Sequence, residues 1–136
     1  MPVWRRHRPE PFLNSVTDTH VAWTVDKNAP NSPSPLLLGD RLYMNSDGGV
    51  LTCLNARSGE EVWHEHVGGN YSASPIAADG KIYLLSEEGV GVVVKAGDKY
   101  ELVAKNPIKE KALASYGVLD GSLLIRTETS LYRIKQ

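Results

Sequence analysis

The sequence predicts an all-β protein built from β-propeller blades, each of them a four-stranded antiparallel meander. The first observation is a repeat of about forty residues, because the segment 34–43 recurs in similar form at 74–83 and again at 115–124. The second is that each copy consists of short apolar runs separated by Gly/Asp turns. The third is the tally of runs, which gives about three blades in 136 residues.

The first complete blade is predicted over residues 34–66. Gly39 and Asp40 form a two-residue turn of the hairpin type between its first two runs. A polar corner and an Asn-Ala-Arg-Ser-Gly turn then separate the later runs, and none of the runs is long enough for a typical helix. The predicted strands are 35–38, 41–46, 49–54 and 60–65.

The two remaining copies follow the same order. The second blade is predicted over residues 74–104, and a partial third blade over residues 115–135 stops after three strands. Residues 21–25 are predicted to form a lone outer strand, of the fourth-strand type, ahead of the first blade. The predicted strands are 75–78, 81–86, 90–95 and 99–104 in the second copy and 116–119, 122–127 and 130–135 in the third.

Residues 1–19 lie outside the repeat and are predicted to form an N-terminal arm, so that the repeat domain covers residues 20–136. Arg5, Arg6 and Arg8 give this arm a positive charge that favours contact with phosphate. Chain termini are more often frayed, and a disordered arm is therefore the favoured interpretation.

Large apolar residues recur at the fourth-strand position. Trp23 precedes Trp63 by forty residues, and Leu102 follows Trp63 by thirty-nine. Each is able to pack between one sheet and the next. We therefore predict that Trp23, Trp63 and Leu102 occupy equivalent, largely buried docking positions between blades.

The composition excludes several classes of function. The 15 basic and 16 acidic side chains nearly cancel, which gives no reason to expect nucleic acid as a partner. No apolar run is long enough to span a membrane, and the N-terminus lacks the apolar stretch of a signal peptide, so the sequence as given predicts a cytoplasmic location. Cys53 is the single cysteine and alternates into an apolar strand, which favours a buried thiol over a reactive one.

The segment 53–63, Cys-Leu-Asn-Ala-Arg-Ser-Gly-Glu-Glu-Val-Trp, resembles the tryptophan-docking repeat of the PQQ-like β-propeller family. That family includes the quinoprotein alcohol dehydrogenases and the lipoprotein that helps to assemble outer-membrane barrels. The resemblance covers about residues 20–136 and is strongest in the first copy. It implies a propeller fold, a docking role for the tryptophans and, if the chain is a fragment, a periplasmic or exported location.

The resemblance does not extend to the chemistry of the quinoproteins. Those enzymes hold PQQ with a calcium ion, a catalytic Asp and usually two adjacent cysteines, whereas this sequence has one cysteine. Asp47-Gly48-Gly49 also lacks the further acidic positions of a calcium loop. We therefore predict no cofactor, no metal site and no enzymatic activity.

A candidate ligand face is formed by polar loops at one end of the blades. The flexible stretch 68–72 carries one aromatic residue, and acidic corner residues are expected to lie beside it. The alternative is that the glycines serve only the turn and that the charges are merely solvated. The candidate residues are Asp47, Asn70, Tyr71, Glu87, Glu88 and Glu128.

His64 and His66 project from the same side of a predicted strand and could bind zinc if a third ligand were supplied. A polar edge strand is the plainer interpretation of this pair. No arrangement of Ser, His and Asp, and no phosphate-binding glycine loop, is apparent in the sequence.

Together these observations predict a non-catalytic binding or scaffolding module with a protein or peptide as its ligand. The alternatives are a fragment of a quinoprotein-type dehydrogenase and a structural relic without a ligand. Propellers close at about four to eight blades, and three blades leave two sheet faces open. We therefore predict a homodimer in which residues 21–25 of each chain complete the last blade of the other, giving a ring of six blades.

Overall fold

The computed structural model describes residues 20–135 and confirms the predicted all-β blades. Their strands form two four-stranded antiparallel sheets and one three-stranded sheet, and strand order follows the chain in each. Within residues 20–135, no helix is long and apolar enough to cross a bilayer. The first blade is β1 (Leu36–Leu38), β2 (Arg41–Asn45), β3 (Val50–Asn55) and β4 (Glu61–His66), the second is β5 (Ile76–Ala78), β6 (Lys81–Leu85), β7 (Val90–Lys95) and β8 (Leu102–Pro107), and the third is β9 (Gly117–Leu119), β10 (Ser122–Arg126) and β11 (Leu131–Lys135).

The second and third blades each begin with a tight Asp-Gly hairpin. Asp79 and Gly80 have φ angles of 51° and 72°, and Asp120 and Gly121 have angles of 44° and 71°. Positive φ at both central residues is the geometry of the two-residue turn whose twist matches that of the flanking strands. The Asp-Gly dipeptides therefore fix where β5 turns into β6 and where β9 turns into β10.

The blades pack on one another through two apolar cores of unequal size. The first junction, between the first and second blades, buries side chains from facing sides of both sheets. The second junction, between the second and third blades, has a smaller fully buried set. The buried residues are Tyr43, Leu51, Cys53, Val67, Tyr71, Ile82, Leu84, Val92 and Val94 at the first junction and Ala73, Leu85, Ala112 and Ile125 at the second.

Serines that recur in the repeat connect the innermost strands of successive blades. The backbone N–H of Ser34 donates to the hydroxyl of Ser74 at 2.8 Å, and the N–H of Ser74 donates to the hydroxyl of Ser115 at 2.9 Å. Each of these serines lies just before the first strand of its blade. The repeat period thus places one identical hydrogen bond at each junction.

The prediction of a strand at residues 21–25 is wrong for this chain, since the segment has no strand pairing. Its central side chain packs against a turn rather than along a strand edge. The indole Nε1 of Trp23 donates to the carbonyl of Ala56 at 3.1 Å. The ring lies so close to Gly59 that a Cβ there would come within 2.6 Å of it. Without a neighbouring strand to pair with, the backbone stays irregular.

The prediction that Leu102 is buried is also wrong, because its side chain is 44% exposed. The cause is the register of the fourth strand. Trp63 lies opposite Cys53 in the first blade, and the matching pair in the second blade is Ala104 opposite Val93. The turn before β8 is one residue longer than the turn before β4, so β8 begins later than predicted. Ala104 therefore occupies the position of Trp63.

Candidate functional site

The corner loops lie at one end of the blades and bind the segments that connect one blade to the next. The N–H of Tyr71 donates to the carbonyl of Asp47 at 2.8 Å, and the N–H of Ala112 donates to the carbonyl of Glu87 at 3.0 Å. Tyr71 and Ala112 are therefore equivalent residues in the two connections. The corners are residues 46–49, 86–89 and 127–130, and we call residues 67–74 the first connection and residues 108–115 the second connection.

Two of the predicted acidic candidates are occupied by hydrogen bonds inside the chain. Asp47 Oδ1 accepts from the backbone N–H of Asn31 at 2.8 Å. Glu87 Oε1 accepts from the hydroxyl of Ser72 at 3.2 Å. These carboxylates hold neighbouring segments in place. This structural role explains why an acidic residue recurs at the equivalent position of the two corners, without a ligand.

Glu88 is held by the first connection but keeps spare hydrogen-bonding capacity. Its Oε1 accepts from the backbone N–H of Asn70 at 3.0 Å, and its Oε2 from the side-chain amide of the same residue at 3.4 Å. Glu128 lies apart, in the third blade, beside a pocket of about 250 Å³ that Lys111 and Arg126 also line. Of the six candidates, the structure brings Asp47, Asn70, Tyr71, Glu87 and Glu88 together at the first junction, and places Glu128 at the second.

Tyr71 differs most from its predicted role, because it is a core residue and not an exposed loop aromatic. Its side chain is only 2% exposed. Its hydroxyl has no hydrogen-bond partner among the described residues. Burial, with a smaller contribution from the negative charge of Glu88, raises the pKa of Tyr71 to about 12. The phenol is therefore neutral at physiological pH and carries a proton that it can donate.

An open pocket of about 260 Å³ adjoins Tyr71 at the first junction. Its lining combines apolar side chains with a few polar groups, two of which have opposite charges. A pocket of this kind, with an apolar lining and a few convergent polar groups, is the usual form of a small-ligand site. The lining includes Val67, Tyr71, Glu88, Val90, Val92 and Lys105.

The two tryptophans make similar contacts with the following blade. The Nε1 of Trp63 donates to the carbonyl of Gly97 at 2.9 Å, as that of Trp23 does to the carbonyl of Ala56. Trp63 also packs against Tyr43 and Tyr100, with ring centroids 6.1 and 5.7 Å apart. In each case the indole reaches the turn that follows the third strand of the next blade.

The residues weighed for metal or nucleophilic chemistry are separated from one another. His64 lies on the exposed outer strand, with its Nδ1 3.0 Å from a carboxylate oxygen of Glu61. Cys53 is fully buried, and burial raises the pKa of its thiol, which keeps it protonated. Among residues 20–135 no group of three or more His, Cys, Asp or Glu side chains could hold a metal ion. The described residues therefore do not fit a calcium-bound quinone cofactor.

Sequence reasoning missed two residues that matter at the junctions, Lys105 and Glu110. Lys105 lines the first-junction pocket from β8. Glu110 accepts hydrogen bonds from Thr127, Thr129 and Tyr132 at the second junction. Aligning the two connections would have indicated Glu110, because it stands where the first connection has Gly69.

Comparison with known proteins gives a family model and several relatives. The model described as "Outer membrane protein assembly factor BamB" matches residues 13–103. An outer membrane protein assembly factor BamB of Burkholderia pseudomallei is 28% identical over 126 residues, which cover 90% of this chain and 32% of that protein. The chain thus spans about a third of the length of this curated relative.

Solved structures agree on the fold. The crystal structure of BamB from Moraxella catarrhalis matches 68% of this chain and 28% of its own, with a TM-score of 0.56 and 17% identity. The quinohemoprotein alcohol dehydrogenase ADHIIG from Pseudomonas putida matches 76% of this chain and 17% of its own, with a TM-score of 0.61 and 14% identity. At these identities the likeness concerns the fold alone.

Proposed function

The chain belongs to the family of the outer membrane protein assembly factor BamB, and from this membership we propose that it is a non-catalytic propeller module that binds protein. The observation that carries the proposal is the family match over residues 13–103, which includes the first blade and most of the second. The relative from Burkholderia pseudomallei is named as an assembly factor of outer membrane proteins. The proposed ligand is accordingly a β-barrel protein chain, or a peptide segment of one, before it has folded.

The proposed ligand surface is the end of the blades that carries the corner loops. Glu88 and Asn70 lie there at the first junction, and Lys111 and Glu128 at the second. Their side chains are exposed, whereas Asp47 and Glu87 are partly covered by the segments that they hold. Such a face presents charged and amide groups to an extended chain without the rigid grouping that catalysis requires.

We also propose that the chain does not catalyse the PQQ-dependent oxidation of alcohols. Cys53 is the single cysteine of the sequence and is packed in the first-junction core. The likeness to alcohol dehydrogenases concerns backbone architecture, which hosts many functions. Incubation with PQQ and calcium, followed by a dye-linked assay of alcohol oxidation, is expected to give no turnover. Quinone absorbance that stays with the protein after gel filtration would contradict this.

We place the working location of the module in the periplasm. The support for this location is that the relatives are named for the assembly of outer membrane proteins. Membership of that family outweighs the absence of an apolar leader in the sequence as given, which predicted a cytoplasmic location.

We also propose that two copies form a six-bladed ring by exchange of terminal segments. Within the described residues, β11 pairs with β10 alone, so one edge of the third blade is open. Residues 21–25 lie beside the first blade, where Trp23 contacts the turn after β3. A compact monomer by light scattering at micromolar concentration would overturn the dimer.

The binding proposal is tested with an unfolded outer-membrane β-barrel protein diluted from urea into buffer that contains the chain. The expected result is a concentration-dependent delay of aggregation, together with a rise in fluorescence anisotropy of the labelled barrel protein. A urea-unfolded soluble protein of similar length serves as the control and should show neither change. Equal effects on both proteins, or no effect on either, would overturn the proposal.

A further inference from the structure

The first-junction pocket exists because the first connection lacks side chains where the second connection has them. Gly68 and Gly69 have φ angles of 80° and 82°, a conformation that favours glycine. A Cβ on Gly69 would lie 3.0 Å from Glu88 Oε1 and 3.1 Å from the Cβ of Ser86. At the second junction this place belongs to Glu110, whose carboxylate accepts from three hydroxyl groups. This position is therefore a hydrogen-bonded glutamate at the second junction and a glycine at the first.

The open pocket contains donors that the chain itself does not satisfy. The hydroxyl of Tyr71 is buried without a hydrogen-bond partner among the described residues. Lys105, whose side chain is exposed, lines the same pocket and has no ion pair among the described residues. A buried polar group without a partner destabilises a fold, and native proteins contain few of them. A bound acceptor group would give both donors a partner.

The lining of the pocket also includes a group of the complementary charge, Glu88. Both hydrogen bonds to Glu88 come from Asn70, which leaves lone pairs on a carboxylate that has about four acceptor sites. The same pocket is also lined by the apolar side chains of Val67, Val90 and Val92. The volume, about 260 Å³, is just below the range of about 300–1,000 Å³ that drug-sized ligands occupy, so a smaller molecule fits.

We propose that this pocket binds a free apolar α-amino acid. The carboxylate of the ligand pairs with the Lys105 ammonium and accepts from the Tyr71 hydroxyl. Its ammonium pairs with Glu88, and its side chain packs on the valines. The site lies wholly between the first and second blades, so it depends neither on ring closure nor on the binding of a protein ligand.

The test is a titration of the chain with three matched probes, followed by NMR chemical shifts of residues around the first connection. The probes are L-leucine, leucinamide, which lacks the carboxylate, and 4-methylpentanoate, which lacks the ammonium. Leucine is expected to saturate with a millimolar dissociation constant, and each of the other two to bind about tenfold more weakly or worse. Equal binding of all three probes, or no saturable shift with leucine, would overturn the proposal.

Variants assign the contacts. Glu88→Gln and Lys105→Gln should each weaken leucine about tenfold or more, because each removes one charge-assisted contact. The matched controls are Glu60→Gln and Lys99→Gln, which remove the same charges from exposed positions away from the pocket and should leave the affinity unchanged. If Glu88→Gln weakens leucinamide less than leucine, or if a peptide with a C-terminal leucine binds as tightly as the free amino acid, the zwitterionic assignment is wrong.

Discussion

The first and second junctions share the same backbone hydrogen bonds but differ in the side chains that pack between the blades. In both, the connection donates to a corner carbonyl, through Tyr71 at one junction and Ala112 at the other. The first is closed on its outer side by the indole of Trp63, whereas Ala104 leaves a cleft of about 350 Å³ at the second. The connections differ as well, because the second has the hydrogen-bonded Glu110 cluster where the first has Gly69 beside its pocket.

This contrast separates two sources of stability in a repeat protein. Backbone hydrogen bonds between blades recur because they depend on the chain path alone, so the period of the sequence reproduces them. Side-chain packing depends on the residue at each position, so it varies from one junction to the next. Neighbouring junctions therefore differ in strength even though their backbones match.

The largest expected effect is the loss of Trp63. Trp63→Ala removes the indole from between Tyr43 and Tyr100 together with its hydrogen bond to Gly97. Because the change leaves a space in the first junction, it should lower the free energy of unfolding by about 3 kcal/mol or more, measured by urea denaturation. Leu102→Ala, at an exposed position of β8, is the control and should change it by less than about 0.5 kcal/mol. Equal effects would refute the docking role.

Filling the cleft at the second junction should have the opposite effect and stabilise the fold. Ala104→Trp places an indole in the cleft, which is lined by Tyr83, Leu123 and Ile134. Because cavity filling adds apolar contacts, we expect a gain of about 0.5–2 kcal/mol in the free energy of unfolding. Leu102→Trp adds the same ring outside the cleft and should give no gain. A loss of stability in Ala104→Trp alone would mean that the two junctions are not equivalent in shape.

Two tyrosines, the buried Tyr71 and the partly buried Tyr116, provide a smaller contrast. The hydroxyl of Tyr116 donates to the carbonyl of Leu84 at 2.8 Å, whereas that of Tyr71 has no partner among the described residues. Tyr116→Phe should therefore cost about 0.5–1.5 kcal/mol by thermal unfolding, and Tyr71→Phe should cost nothing or stabilise the fold. A similar loss in both variants would show that the Tyr71 hydroxyl has a partner.

The smallest expected effect is a pH dependence confined to the second junction. Hydrogen bonds from Thr129 and Tyr132 lower the pKa of Glu110. The stabilisation is thus present above the ordinary pKa of glutamate, about 4.3, and is lost as the pH falls through the lowered value. In melting curves recorded from neutral to acidic pH, Glu110→Gln should flatten part of the decline below about pH 4.3. An unchanged profile would contradict the role of the Glu110 cluster.

Sequence periodicity predicted most of the fold because its signals are local. The Asp79-Gly80 and Asp120-Gly121 turns fixed the hairpins, and β7 was predicted to the residue. Residues 21–25 were predicted as a strand but form none in the single chain, because a strand needs a partner, which no local pattern reveals. Leu102 was misassigned because the matching position, Ala104, is defined only by cross-strand pairing and lies two residues further along the chain.

The candidate site was predicted less well. Glu88 lies at an exposed corner and Asn70 in the first connection beside it, but the burial of Tyr71 results from the path of the first connection across the first junction. Lys105 reaches the same pocket from a strand more than thirty residues away in sequence. Contacts of this range follow from how two sheets face each other, and no spacing within one repeat encodes them.

The hydrogen-bonded serines give the stack of blades a direction. At each junction the earlier blade offers an N–H and the later blade a hydroxyl, so blades join head to tail and never head to head. Hydrogen bonds of this kind do not limit the number of blades, since a serine that accepts a bond from the preceding blade also has an N–H that can donate to the next. The number of blades in any ring built from such units is therefore set by the rotation between one blade and the next about the ring axis.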